Sequence, residues 1–403
     1  MRYVRAIGRC AGFTAALALL VLAASAFAAP SGPPIRIGGT LALTGPLAPT
    51  ALLHKIAGEI YVEELNKANG LLGRPVEWVL LDDQSKPDLT RSLYEKLITV
   101  DKVDLIIGPY ATGGILSAMS VAERYQKIYV HHSFGMPHLA KYMYHFPTAA
   151  FGPEPNRTVP TTVFDALAAT SKPPKTVAIV TSKFPSAQFQ SSGAKEVAEK
   201  RGLKVPLYLE YEFGTRDFGA IAARVKDANA DFLWVGALGL DANQMLEAMK
   251  KLDYVPPRHF HLFPAPGPLA VAPDGKLALS TTVFEEHPPF TANPGAARLV
   301  PLFRERATRA NVPYPYVDTQ AGGSFAAWQV LEAAVTATKS LDDKVLGEWL
   351  RKNPVNTIIG RLRFDGPNNY GDDLFKVKQV QDGKWVVVWP REFAAPGARL
   401  LPP

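Results

Sequence analysis

Short runs of apolar and β-branched residues alternate with helical patterns along most of this chain, and this alternation restricts the fold more than any other feature. In the first part it predicts strands at residues 35–42, 76–81, 105–107 and 128–131, with helices at 52–68, 89–100 and 114–124. In the first helix, apolar residues recur at spacings of three and four, which is a core-facing pattern. Repeated units of this kind predict an α/β fold with a parallel sheet.

The same rhythm restarts after a stretch rich in proline and glycine at residues 147–160. The second set has predicted helices at 161–169, 190–200, 218–228 and 241–252, and strands at 176–180, 203–211, 232–235 and 259–263. No residue-level repeat of fixed period connects the two sets, so their similarity is one of architecture.

The last third of the chain has a different character. A strand is predicted at residues 281–285 and helices at 296–310, 322–338 and 341–353. Two alternating runs, 375–380 and 385–389, are joined around Asp382-Gly383, which is a strong hairpin signal. These patterns leave open which part of the fold receives the hairpin.

The N-terminus predicts secretion. Arginines at positions 2, 5 and 9 precede an apolar run at 11–24, and Ala26-Phe27-Ala28 has the small-x-small pattern of a signal-peptidase site. The run is shorter than the about 20 apolar residues that a membrane span needs. Cys10, the only cysteine in the sequence, precedes this run, so we expect neither a lipid anchor nor a disulfide in the mature chain.

Removal of residues 1–28 leaves 375 residues, more than the roughly 250 to 300 that one hydrophobic core serves. Two domains are therefore expected. The mature chain has 41 basic and 37 acidic residues in a mixed order, which is typical of a solvated surface and gives no sign of nucleic-acid binding.

Five motifs in a fixed order carry a resemblance to a known family. They are IRIGGTLALTGP at 35–46, LLDDQ at 80–84, LIIGPYATG at 105–113, IIGRLRFD at 358–365 and VWPREF at 388–393. The chain resembles the periplasmic binding proteins of the leucine/isoleucine/valine-binding type, including relatives that bind amides and aromatic acids. The resemblance extends from about residue 35 to about residue 393.

The resemblance implies two doubly wound parallel-sheet domains joined by three crossovers, with a ligand in the cleft between them. The crossings are expected near residues 147–153, 281–286 and 356–362. Domain I would then comprise residues 34–150 and 284–357, and domain II residues 151–283 and 358–403. In open α/β sheets, ligands bind beyond the carboxyl ends of the strands, so the loops that follow the strands are where the site is expected.

The resemblance also implies hydroxyl groups that hold a carboxylate. Thr112 follows the strand at 105–107 at the start of the next helix, where its hydroxyl and nearby N–H groups suit an anion. The alternative for Thr112 is an ordinary helix N-cap. Ser133 is the second candidate, in a register anchored at Pro137, and Gly135 stands where the family places another hydroxyl residue.

On the domain II side the sequence departs from the amino-acid-binding relatives. The stretch at 263–268, FPAPGP, lacks the acid that pairs a ligand ammonium, and Leu238 stands where an aromatic polar residue is common. Because burial of an unpaired ammonium costs several kcal/mol, a carboxylate without an α-amino group is favoured, such as an aromatic or other hydrophobic acid. Asp241 or Glu285 could still reach the site, so amino acids are the alternative.

Several further residues complete the expected site. Tyr110, Phe134, Phe184 and Phe263 are candidate apolar walls, although core packing explains such aromatic residues equally well. His132 is a candidate hydrogen-bond donor or acceptor, with a solvent-facing loop histidine as its alternative. The set also includes Thr50, Ala111 and Ser186.

Other function classes find little support in the sequence. His131 and His132 are adjacent and point to opposite faces of a strand, and the pair His259 and His261 lacks a third ligand for a metal. The run GGSFA at 322–326 is not a nucleophile elbow, and no glycine-rich nucleotide loop occurs. We therefore expect neither enzyme activity nor a cofactor.

These observations predict a periplasmic solute-binding protein that supplies a small molecule to the membrane permease of an ABC importer. The protein is expected to be a monomer that closes about a hinge. A ligand sensor that feeds a receptor is the alternative with the same fold.

Overall fold

The computed structural model describes residues 29–132, 136–149, 151–264 and 266–402, which form two mainly parallel sheets in two α/β domains. The signal peptide expected at residues 1–28 lies outside the described residues. Most predicted elements are present, within a few residues of their expected ends.

The first sheet is entirely parallel and has the strand order β2-β1-β3-β4-β5. Its strands are β1 Ile35–Leu41, β2 Val76–Asp82, β3 Leu105–Ile107, β4 Tyr129–His131 and β5 His145–Pro147, and its helices are α1 Ala48–Lys67, α2 Pro87–Thr99 and α3 Thr112–Arg124. Every residue of β3 is buried, as expected for a central parallel strand that helices cover on both faces.

The second sheet has the order β14-β13-β10-β9-β8-β6-β7. Its parallel strands are β6 Thr176–Ser182, β7 Lys204–Tyr211, β8 Phe232–Gly239, β9 His259–Pro264 and β10 Leu279–Thr282, and the helices of this region are α4 Pro155–Ala168, α5 Pro185–Lys200, α6 Gly219–Ala228, α7 Asp241–Lys250 and α8 Pro266–Val271. The antiparallel strands are β13 Lys376–Gln381 and β14 Lys384–Trp389. The hairpin therefore belongs to the second sheet, which answers the question that the sequence left open.

Three helices between β10 and β13 return to the first sheet. They are α9 Ala296–Arg309, α10 Thr319–Thr338 and α11 Asp343–Lys352, and α9 and α10 pack against α1. A small antiparallel hairpin follows, with β11 Val355–Thr357 and β12 Gly360–Leu362. The chain thus passes between the two sheets after β5, after β10 and before β13. The domain limits at residues 150, 283 and 357 stay a prediction.

Some elements were missed or misplaced in the sequence analysis. The predicted strand at 281–285 ends at Thr282, and α4 begins at Pro155, earlier than residue 161, because proline at the first helical position needs no hydrogen bond for its nitrogen. Strand β5, helix α8 and the β11–β12 hairpin were not foreseen, since they are short and contain proline or glycine.

No helix among the described residues is both long enough and apolar enough to span a bilayer.

Candidate functional site

A crevice lies where the carboxyl ends of strands from both sheets meet. It encloses about 600 Å³ of space outside protein atoms, part of which is open to solvent. The first sheet's side supplies residues after β3 and β5, and the second sheet's side supplies residues at the ends of β6, β8 and β9. Helix α10 and the segments that connect the two sheets supply the rest. The lining comprises Tyr110, Ala111, Thr112, Thr148, Ala149, Phe151, Phe184, Ser186, Leu238, Phe263, Val283, Thr319, Gln320, Gly323 and Phe375.

The first turn of α3 forms one wall of the crevice. Thr112 is the first residue of this helix and is buried, and the residue at the N-cap is Ala111, which provides no side-chain cap. The alternative reading of Thr112 as an ordinary N-cap is therefore wrong. Because the first N–H groups of a helix have no acceptor within it and lie at the positive end of the helix dipole, this wall favours an anion.

Ala111 has an unusual backbone conformation at this wall, with φ 71° and ψ 147°. That region of φ/ψ space is populated almost only by glycine, and a side chain there costs about 1 to 3 kcal/mol. The strained residue turns the chain directly from the loop after β3 into α3. The strain is thus located where the helix N-terminus meets the crevice.

Tyr110 is held by residues of α1 that lie behind the wall. Its phenol is hydrogen-bonded to Thr50, and its ring centroid lies 4.8 Å from that of His54. Burial raises the pKa of Tyr110 to about 12, so the phenol stays neutral at physiological pH. Thr50 is buried and supports Tyr110 without lining the crevice itself.

His132 also lies behind the wall. Its ring stacks on that of His54, with centroids 4.1 Å apart and an interplanar angle of 13°. Its exposed fraction is 3%, so the solvent-facing alternative is wrong. Burial lowers the pKa of His132 to about 3, and burial followed by the neighbouring His132 lowers the pKa of His54 well below its usual value. Both rings are therefore neutral.

Gln320 is a polar lining residue that the sequence analysis missed. Its Oε1 atom lies 3.1 Å from Nε2 of His54, which must donate in this pairing. The backbone here is fixed because Asp318 caps α10, with Oδ1 accepting from the N–H groups of Gln320 at 3.1 Å and Ala321 at 3.0 Å. The capping residue Asp318 is a helix-start signal in the sequence, and it would have moved the start of α10 from residue 322 to this point.

The second sheet's side of the crevice is mainly apolar. Phe184 and Ser186 follow β6, Leu238 lies near the end of β8, and Phe263 lies in β9. Phe263 has a positive φ of 48°, which is rare for a bulky residue. All four residues are sequence-derived candidates, and the fold brings them to face Tyr110, Ala111 and Thr112.

None of the described residues that line the crevice has a charged side chain. The internal residues outside the described ranges are 133–135, 150 and 265, and none of them is charged in the sequence. Three of these, Ser133, Phe134 and Gly135, are predicted site residues, and they stay predictions because they lie outside the described residues. The described part of the crevice thus offers a ligand hydroxyls, amides and apolar surface.

The two acids considered for an ammonium both have other partners. Asp241 accepts from the hydroxyl of Tyr211 at 2.9 Å, and Oε1 of Glu285 lies 2.7 Å from the ammonium of Lys378. Neither acid lines the crevice. Burial raises the pKa of Glu285 to about 7, and burial also raises the pKa of Asp241.

Four of the histidines outside the site form two separate buried pairs. Nε2 of His131 lies 2.9 Å from Nδ1 of His145, and Nδ1 of His259 lies 2.8 Å from Nε2 of His261. His131 and His132 thus point to different neighbours, as their strand positions predict. No group of three or more potential metal ligands occurs within the described part of the chain.

Seven further lining residues could not be identified from the sequence. They come from the loop after β5, from the segment after β10, from α10 and from the residue before β13: Thr148, Ala149, Phe151, Val283, Thr319, Gly323 and Phe375. Their positions depend on how the three crossings pack, and no local pattern gives that information.

Comparison with known proteins gives a consistent family. A family model described as periplasmic binding protein matches residues 34–384. A leucine-, isoleucine-, valine-, threonine- and alanine-binding protein of Pseudomonas aeruginosa is 23% identical over 355 residues, which cover 87% of this chain and 90% of the relative. A Brucella melitensis protein named Leu/Ile/Val-binding protein homolog 1 is 25% identical, with coverage of 87% and 92%.

Solved structures share the fold. A solute-binding protein of an ABC transporter from R. palustris, in complex with benzoate, has a TM-score of 0.75 at 19% identity and covers 92% of this chain and 99% of its own. A leucine-binding protein from Thermotoga maritima has a TM-score of 0.72 at 19% identity, with coverage of 88% and 97%.

The strain at Ala111 predicts an unusual effect of glycine. We expect Ala111→Gly to raise the free energy of unfolding by about 1 kcal/mol, because glycine adopts this backbone conformation without strain. Glycine also makes the unfolded chain more flexible, which offsets only part of this stabilisation. Thermal melting without ligand measures this. Ala118→Gly, within the same helix, should instead destabilise the protein by about 1 kcal/mol or more. Equal losses for both variants would show that Ala111 is not strained.

Proposed function

This chain belongs to the periplasmic binding protein family and has its type I fold, and from this we propose that it captures a small hydrophobic carboxylate for an ABC importer. Family members are substrate-binding proteins and not enzymes. The proposed ligand is an aromatic or other hydrophobic organic acid, bound unchanged between the two domains.

The observation that carries this proposal is the uncharged lining of the crevice. An anion has suitable partners at the first turn of α3, at the Thr112 hydroxyl and at the Gln320 amide. A ligand ammonium would have no carboxylate partner among the described lining residues, at a cost of several kcal/mol. Phe184, Leu238 and Phe263 provide the apolar surface that an aromatic ring requires.

Branched-chain or other amino acids are the second candidate. The curated relatives from P. aeruginosa and B. melitensis are named for these ligands. The R. palustris protein, in contrast, was solved with benzoate. We favour an organic acid as the ligand because the two acidic residues that could have paired with a ligand ammonium have other partners. Asp241 is bonded to Tyr211, and Glu285 is paired with Lys378.

The proposed location and partners follow from the family. The protein would act in the periplasm after removal of residues 1–28, as a monomer that delivers its ligand to a membrane permease. A role as a sensor that passes its ligand to a receptor would use the same crevice.

A ligand screen tests the ligand class. We expect benzoate-like acids to raise the melting temperature and leucine or valine to leave it nearly unchanged, since only the amino acids bring an ammonium into the crevice. Thermal shift measurements on the purified protein check this, with benzamide as the control that lacks the carboxylate. A clear leucine or valine shift without any response to benzoate-like acids would reverse the choice of ligand.

The Thr112 hydroxyl has a measurable expected contribution. Thr112→Ala should weaken benzoate binding by about 1 to 3 kcal/mol, because a buried hydrogen-bond donor to a charged group is lost. Titration calorimetry gives the dissociation constant. The matched control is Thr99→Ala at the exposed end of α2, which should bind like the wild type. An unchanged dissociation constant for Thr112→Ala would remove this hydroxyl from the site.

Capture is expected to involve closure about the three crossings. A ligand that contacts residues of both sheets favours the closed arrangement through its higher affinity for that state. Small-angle scattering should therefore show a smaller radius of gyration at saturating benzoate than without ligand. An unchanged radius at saturation would contradict hinge closure while leaving the ligand class intact.

A further inference from the structure

A second chamber adjoins the crevice next to the first turn of α3. It encloses about 670 Å³ of space outside protein atoms, part of which is open to solvent. Tyr110, Ala111 and Phe184 line both spaces, so the chamber and the crevice adjoin at these three residues. The remaining lining residues are Pro46, Leu47, Asp83, Ser85, Lys86, Pro87, Thr90, Gly113, Gly114 and Phe213.

The start of α3 separates the two spaces. Thr112 lines the crevice, whereas the next two residues, Gly113 and Gly114, line the chamber. A Cβ atom at Gly113 would lie 2.9 Å from Cγ of Pro87, which is too close for a side chain without movement. Because Gly113 and Gly114 have no side chains, the backbone of α3 itself lines the chamber at this point.

Apolar groups from both domains form most of the chamber surface. The ring of Phe213, which follows β7, lies 5.0 Å from that of Phe184 at an interplanar angle of 59°. Phe213 nevertheless has an exposed fraction of 39%, unusually high for a phenylalanine. Pro46, Leu47 and Pro87 belong to the first domain. A ligand group here would therefore contact both domains.

The polar groups of the chamber already have partners within the protein. Asp83 accepts from the hydroxyl of Thr40 at 2.7 Å and from the N–H of Ser85 at 3.0 Å, and burial raises its pKa. The Ser85 hydroxyl donates to the carbonyl of Thr44 at 3.0 Å and accepts from the N–H of Leu47 at 3.2 Å. Lys86 is exposed, and its ammonium donates to Oε1 of Gln84 at 3.1 Å. The rest of the surface available to the ligand is mainly apolar.

We propose that the ligand has two parts, a carboxylate-bearing ring in the crevice and an uncharged apolar arm of several carbon atoms in the chamber. This inference rests on the proposed function and narrows its substrate class to aromatic acids with an extended substituent. The link between the two parts would lie at Ala111 and Phe184, which line both spaces. Burial of the arm against Leu47, Pro87 and Phe213 supplies affinity that a single ring lacks.

A pair of acids tests the chamber. We expect 4-butylbenzoate to bind the purified protein at least about tenfold more tightly than benzoate, because each buried methylene adds favourable transfer free energy. Titration calorimetry gives the ratio of the two dissociation constants. Phe213→Ala should reduce that ratio at least about threefold. Tyr125→Ala removes an aromatic side chain of similar exposure, 38%, at the other end of α3, and should leave the ratio unchanged.

A second variant, Leu47→Trp, fills the chamber and should also reduce the ratio. The chamber proposal is overturned if both acids bind with equal affinity, or if Phe213→Ala and Leu47→Trp leave the ratio unchanged. If leucine binds and neither acid does, both the chamber proposal and the proposed ligand class are wrong. Binding of both acids with equal affinity would instead leave the ligand class standing and remove only the chamber.

Discussion

The parallel direction of the strands is the constraint on which the rest of this structure depends. In a parallel sheet every strand-to-helix turn after a strand lies at the same edge. Both sheets turn that edge toward the crevice, which is why residues as distant in sequence as Thr112, Ser186 and Phe263 line one space. The start of α3 is exposed to a ligand for the same reason. The antiparallel hairpin β13–β14 extends the second sheet at its far edge and leaves this arrangement undisturbed.

The buried acidic residues around the crevice each have a hydrogen-bond or ion-pair partner within the protein. Asp318 caps α10, Asp241 accepts a hydrogen bond from Tyr211, and Glu285 forms a salt bridge with Lys378. These groups fix the backbone around the site. Among the described residues, the crevice is left with backbone amides, hydroxyls and one carboxamide as its polar groups, which agrees with the proposed anion.

The sequence predicted what local patterns determine. Residues 105–113 could be placed because a buried strand followed by glycine and a helix start is a local signal, and the family resemblance then selected Thr112, which lines the crevice. The burial of His132 was missed because it depends on His54, which stacks on it from a helix almost eighty residues earlier. Gln320 and Phe375 were missed because the crossings, and not any periodicity, bring them to the crevice. Tyr211 and Lys378 likewise lie on strands that are distant in sequence from their partners Asp241 and Glu285.

The two walls of the crevice differ in whether backbone groups or side chains face the ligand, and this difference affects how ligand specificity can evolve. The wall at the start of α3 presents peptide groups, which point mutations leave in place, whereas the facing wall consists of replaceable side chains such as Phe184, Leu238 and Phe263. A lineage can therefore exchange one nutrient for another by a few substitutions on a single lobe, without rebuilding the scaffold. The same property makes the second lobe the natural place to engineer a sensor for a chosen compound.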